Sequence, residues 1–325
     1  MNEILDTVLL LALPASGKSE VRRYLELMPA DARGRDFHMG PSVQLDDFPY
    51  VHMMRRIDDE LTVLGQPTLF FGSPQDPFKD PRDWGTLTDM INQDHEDLFA
   101  GRRRQPAAAA LDLFERLDRA SAATGAPVRL ERLDASVRTH LADKLEAEAR
   151  QLLADLQAGF PDTLAGKTLV IEFARGGPDG SSLPLLAPYG YRHSLGQLSP
   201  KILEKAVILY IWVTPEESRR KNAARANPDD PGSILHHGVP LSVLLHEYGI
   251  DDMEWLTQNS ERPGCVTVQA HGRTYHLPVA RFDNRVDKTS FLRADQADWE
   301  PGQVKAVHEG LRNALDQLAG AVQSV

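Results

Sequence analysis

The stretch Val8 to Tyr24, VLLLALPASGKSEVRRY, constrains the fold more than any other part of the chain. Val8 to Leu11 read as a buried strand, a loop of small residues closes on Gly17-Lys18-Ser19, and Val21, Tyr24, Leu25 and Met28 follow on one face of a helix. A strand, a tight loop and a helix in immediate succession bring backbone N–H groups together at a helix N-terminus, where phosphates bind. The spelling of residues 12–19, ALPASGKS, agrees with that chemistry: it matches G-x-x-x-x-G-K-S/T with alanine at the first glycine position. In this reading the backbone from Ala12 through Pro14, Ala15, Ser16 and Gly17 cradles the phosphates of ATP, Lys18 reaches the β- and γ-phosphates, and the Ser19 hydroxyl ligates Mg²⁺. If position 12 requires a positive φ, alanine costs about 1 kcal/mol there, so Ala12 is expected to weaken the loop.

Composition narrows the function classes. The chain has 325 residues, 42% hydrophobic and 26% charged, with a net charge of −11. Such an acidic chain is a poor general binder of nucleic acid or of an anionic membrane surface. Cys265 is the only cysteine, which excludes an intramolecular disulfide and a cysteine zinc cluster. The apolar stretch Thr7 to Ala15 is too short to span a bilayer, and Glu3 and Asp6 stand where a signal peptide carries basic residues. A cytoplasmic protein is expected.

Further strands are predicted at Ser42 to Leu45, Lys167 to Arg175, Val207 to Val213 and Val279 to Phe282. Helices are predicted at Val51 to Leu64, Ala107 to Ala123, Ser136 to Gln157, after the capping box Thr214-Pro-Glu-Glu217, and at Gln303 to Val322. Pro29 to Gly40 and Gly65 to Trp84 read as irregular connections, as does Gly176 to Ser199. A His271-Gly272 turn predicts a small hairpin within Val266 to Leu277. Alternating strands and helices imply an α/β fold with a mostly parallel sheet flanked by helices, and ligands collect at the carboxyl ends of such strands. Residues 1–61 and 161–325 would form this core, and 62–160 a mainly helical insertion that could cap a substrate.

Several strand ends carry groups that phosphoryl transfer could use. Asp46 and Asp47 close the second strand, where one acid can accept a proton from an attacking hydroxyl and the other can hold Mg²⁺. Glu172, near the end of the third strand, either polarises a Mg²⁺-bound water or pairs with Arg175. Arg219, Arg220 and Arg225 lie on the helix after the fourth strand and offer planar donors for phosphate oxygens. Weaker candidates are the basic run Arg102 to Arg104, the histidines His236, His237 and His246, and Tyr189, Tyr191, Arg192 and His193 in the loop after the third strand. The histidines lack H-E-x-x-H spacing, which argues against zinc.

With ALPASGKS at 12–19, LDDF at 45–48, LVIEF at 169–173 and an arginine-bearing helix after VILYIWV, about half of the chain resembles the P-loop kinases. The resemblance is to the uridine kinase and phosphoribulokinase-like branch and, more loosely, to zeta-toxin-like kinases. It implies a P-loop NTPase fold and Asp46 as catalytic base. It further implies lid arginines at Arg219, Arg220 or Arg225, and contact with adenine from the loop that begins at Asp283 and Asn284. The implied activity is ATP- and Mg²⁺-dependent transfer to a small hydroxylated or nucleotide-like acceptor. A nucleotide-dependent ATPase or switch, and a non-catalytic nucleotide-binding module, are the alternatives. Asn284-Arg-Val-Asp287 lacks the lysine of a guanine-reading N-K-x-D, and EFARGG replaces D-x-x-G, which argues against a GTPase.

Overall fold

The computed structural model describes residues 4–225 and 238–323. Its elements run β1 (Thr7–Leu11), α1 (Lys18–Leu27), α2 (Ala30–Phe37), β2 (Ser42–Asp46), α3 (Phe48–Val63), α4 (Asp83–Phe99), α5 (Ala109–Thr124) and α6 (Ala135–Ala158). They continue with β3 (Thr168–Phe173), α7 (Gly190–Gln197), α8 (Pro200–Leu203), β4 (Ala206–Trp212), α9 (Pro215–Arg225), α10 (Leu241–Glu247), α11 (Met253–Gln258), β5 (Cys265–Ala270), β6 (Arg273–Asp283) and α12 (Pro301–Gln323).

The fold is α/β. Six strands form one sheet in the order β2-β3-β1-β4-β6-β5, parallel except for β5, which pairs antiparallel with β6. The central strands bury both faces, as their unbroken aliphatic runs require. On β1, Leu9 and Leu11 join one core and Val8 and Leu10 the other, the period-two alternation of a strand. Tyr24, Phe37, Val307 and Leu311 close the second core from α1, α2 and α12. A third core lies within the helices: Tyr50, Met53, Met54, Ile57 and Leu61 of α3 pack with Phe114 and Leu117 of α5 and Leu141 and Leu145 of α6. Because α3 belongs to this helical layer, the expected boundary between 61 and 62 falls inside a helix. Ile91 and Leu98 of α4 reach the sheet-side core and tie the layer to the sheet.

Four local expectations are corrected. Residues 30–37 are helical, hidden in the sequence because ADARGRDF carries little apolar periodicity. Residues 83–99 form a helix that buries Asp83, Thr86, Thr88, Asp94, His95 and Asp97 among its apolar side chains, so the helical stripe is masked by buried polar residues. Tyr189 to His193 is not all loop, since α7 begins at Gly190. The hairpin strand and the core strand at 279–282 are one continuous β6, whose first half pairs with β5 and whose second half pairs with β4. Among the described residues no helix is long and apolar enough to cross a membrane.

Candidate active site at the carboxyl end of the sheet

The chain places β2 and β3 on one side of β1 and β4 on the other, so the sheet changes direction beside β1. The loop at 12–19 leaves β1 at that crevice, the position at which open α/β sheets bind ligands.

Loop shape follows from who holds its carbonyls. Tyr191 donates its hydroxyl to Ala12 O at 3.0 Å, Ser218 Oγ donates to Pro14 O at 2.7 Å, and Asn284 Nδ2 donates to Ser16 O at 2.7 Å. Lys18 Nζ also donates to Ala12 O, at 3.3 Å. Carbonyls bound on alternate residues are turned toward the protein, which turns the intervening peptide N–H groups away from it. Among the described residues no group accepts from the amides of Ala15 or Gly17, and the buried Ser16 hydroxyl is without a partner. Gly17 caps α1 with φ +105°, and a Cβ there would collide with the Thr289 hydroxyl and lie 2.9 Å from Asn284 Nδ2. Glycine is therefore required at 17 by conformation and by space.

The positive φ expected at Ala12 is found at Ala15 instead. Ala12 is fully buried and is not among the positive-φ positions; the left-handed conformation falls on Ala15, with φ 53°. A strained alanine thus sits inside the loop, three residues later than the motif suggests.

The acids assemble at the adjoining strand ends. Asp46 and Glu172 are register partners on parallel β2 and β3, so their carboxylates project side by side. Burial, then the charges of Glu172 and Asp47, push the Asp46 carboxyl up to about 8, against the opposing pull of the Phe48 amide and Arg22. Its side chain is still 31% accessible, and the access is from within a cavity. Arg22, one helical turn beyond Lys18, donates to Glu172 Oε2 at 2.9 Å and lies 3.9 Å from Asp46 Oδ2. Glu172 therefore does not pair with Arg175. The partner of Arg175 is Asp47, at 2.6 Å, and both are buried. Asp47 stands at the cavity wall as a metal candidate that already carries a guanidinium counter-charge.

The cavity, about 310 Å³, extends from Lys18, Ser19, Arg22, Asp46 and Glu172 to an apolar wall. Phe71, Phe78 and Trp84 from the segment before and at the start of α4 form that wall together with Val243 and Tyr248, the tyrosine ring meeting Trp84 edge-on at 5.5 Å. Phe71 stacks on Phe78 at 4.5 Å and Phe78 meets Trp84 edge-on at 5.0 Å. One buried acid, Glu247, accepts from the Phe78 amide at 3.0 Å, and burial raises its carboxyl to about 7. Arg55 lies over the Phe71 ring at 3.9 Å while its fork holds the carbonyls of Pro74 and Asp76.

Other predicted residues stand elsewhere. Arg219 contacts Glu216 and Asp179, Arg220 grips Glu217 at 2.7 Å, and neither lines the cavity. The side chain of Arg225, and His236 and His237, lie outside the described residues. Asp283 is held by Arg285 at 2.8 Å, and this bond depresses its carboxyl to about 2. Asn284 is buried against the loop as described and does not line the cavity. Arg102 and Arg104 are paired with Asp97, Arg103 holds the carbonyls of Gln157 and Phe160, and His246 is bound to Ser242 O. Among the described residues no cluster of three or more acidic, histidine or cysteine side chains forms a ready-made metal cage. Arg22, Ser218, Arg55 and Glu247 join the site without belonging to any motif, and Tyr191 is only a weak candidate in sequence; of these, Arg22 alone has a local signal, its i+4 spacing from Lys18.

No protein-family model, curated protein or solved structure matches the chain.

Proposed function

We propose that this protein binds ATP with Mg²⁺ at the loop of residues 12–19 and transfers the γ-phosphoryl group to a hydroxyl of a small molecule held in the adjoining cavity. The observation that carries this reading is the in-register pair Asp46 and Glu172 beside Lys18 and Ser19, at the mouth of a cavity that continues to an apolar wall. A hydrolase needs room only for water, whereas this cavity continues past the acids to aromatic side chains suited to the body of an organic acceptor.

The residues present fit both ligands. Carbonyls held toward the protein with the intervening amides turned away from it, an unpartnered Ser16 hydroxyl and a glycine with no room for a Cβ make a cradle for phosphate oxygens. The Ser19 hydroxyl and the Glu172 carboxylate are hard oxygen donors of the kind that hold Mg²⁺ directly or through water. Bound there, Mg²⁺ would neutralise charge on the β- and γ-phosphate oxygens.

The chain's own groups do the rest. Lys18 and the loop amides bind and orient the phosphates, and the aromatic wall orients the acceptor and excludes water. The acceptor oxygen bonds to the γ-phosphorus as the bond to the β,γ-bridging oxygen breaks. The hydroxyl proton passes to Asp46 and the bonding electrons leave with ADP. A carboxyl raised towards neutrality is a stronger base than an ordinary aspartate, which suits a proton acceptor.

A panel of small hydroxylated metabolites incubated with the protein and MgATP, read by mass spectrometry, tests the reading. One or a few new phosphomonoesters with matching ADP are the expected result, and a panel that yields none while ATP remains intact refutes kinase activity.

A further inference from the structure

We propose that Arg22 is the catalytic arginine of this site, the guanidinium that leaves Glu172 and takes the γ-phosphoryl oxygens during transfer; this rests on the kinase reading above. Phosphoryl transfer needs a cation beside the oxygens on which charge accumulates, and an arginine fork serves best. The helix after β4 is the place where sequence puts that fork, yet Arg219 and Arg220 are bound to acids on their own helix and outside the cavity.

Among the described residues that line the cavity, the guanidinium groups are those of Arg22 and Arg55. Arg55 stands against the aromatic wall with both terminal nitrogens committed to the carbonyls of Pro74 and Asp76. Arg22 stands at the phosphate end. It rises from α1, on the face shared with Lys18 and Ser19, and touches Glu172 through Nη1. Its Nε is buried without a partner among the described residues, so part of its fork is unused. A guanidinium carries five N–H donors, and a single hydrogen bond to one carboxylate is an incomplete use of them.

The same contact explains why the fork can be released. Arg22 offsets the repulsion between Asp46 and Glu172. A Mg²⁺ held by Ser19 and Glu172 would supply that counter-charge instead, and phosphate oxygens would then compete for the guanidinium of Arg22. Arg22 would then supply in cis what Arg219 and Arg220 do not.

The test uses a mimic of the transferring phosphoryl group and needs no acceptor. Binding of MgADP alone, and of MgADP with aluminium fluoride, is measured by calorimetry for the wild-type chain, Arg22→Gln and Arg22→Lys, with melting temperatures recorded to confirm folding. Arg22→Gln is expected to bind MgADP within about threefold of wild type but to lose the additional affinity conferred by aluminium fluoride by about 100-fold or more. Arg22→Lys should recover little of it, because a point charge does not reproduce the fork. Retention of the aluminium fluoride gain in Arg22→Gln, or equal weakening of both complexes, overturns the role of Arg22 while leaving the kinase reading intact. A wild-type chain that binds neither complex overturns the kinase reading and the role of Arg22 with it. If Arg22→Gln does not fold, Arg22→Lys decides by the same comparison.

Discussion

Arg175 and Asp47 form a buried ion pair at 2.6 Å, with the guanidinium lying between the rings of Trp84 at 4.8 Å and Phe173 at 5.0 Å. The same guanidinium holds Trp84 O and Thr88 Oγ1, so one side chain joins the end of β3 to the start of α3 and to α4. Two adjacent aspartates are thereby given different surroundings. Asp47 is neutralised by a neighbour, and Asp46 faces the cavity beside Glu172.

Removal of one partner leaves the other charge buried and unpaired. Arg175→Met is expected to lose about 3–5 kcal/mol of stability, read by urea denaturation. The double variant Arg175→Met with Asp47→Asn should recover most of that loss, since both charges are then absent.

Gly17 and Ala12 make opposite predictions. Gly17→Ala places a side chain at φ +105° against Thr289 and Asn284, so it should destabilise the protein by about 1–3 kcal/mol and abolish stabilisation by MgATP in a thermal-shift assay.

Ala12→Gly restores the motif's first glycine, but Ala12 is buried and its φ is not positive. The substitution should leave MgATP affinity unimproved and cost about 0.4–1 kcal/mol through added freedom of the unfolded chain. A tighter-binding Ala12→Gly variant would show that the alanine strains the cradle after all.

Glu247 predicts a pH dependence. Burial raises its carboxyl from 4.5 to about 7 in the folded chain, so the folded state holds this proton more tightly than the unfolded state does. Its contribution is fully present below the unfolded value and is lost as pH rises through the folded one. Glu247→Gln cannot lose a proton. Its stability relative to wild type should therefore climb between about pH 4.5 and 7 and then level off, by about 3 kcal/mol in all. A difference that stays flat across that range would contradict the assignment.

The parts of the site legible in sequence are those built from consecutive residues. The apolar runs of β1, β3 and β4, the Gly17-Lys18-Ser19 turn, and Asp46 at the end of β2 are local signals, and the fold class follows from their alternation. What was not legible depends on closure in three dimensions. Glu172 has Arg22 as its partner across 150 positions and not Arg175 three positions on, because register with β2 and the position of α1 decide it. The aromatic wall comes from Phe71, Phe78 and Trp84 in a stretch whose prolines and glycines speak only of turns. The inward-held carbonyls of the loop depend on Tyr191, Ser218 and Asn284, which come from three distant stretches of the chain and whose local sequence does not show that they grip the loop.

The fate of the γ-phosphoryl group separates transfer from hydrolysis. Wild type and Asp46→Asn are incubated with MgATP and a mixture of hydroxylated metabolites in isotopically heavy water, and phosphorylated products are resolved by mass spectrometry. Phosphoryl transfer through Asp46 yields a phosphomonoester free of heavy oxygen from water, formed with equal ADP, and slowed at least about 100-fold in Asp46→Asn. Heavy-oxygen-labelled inorganic phosphate released at the same rate with and without the mixture would contradict it.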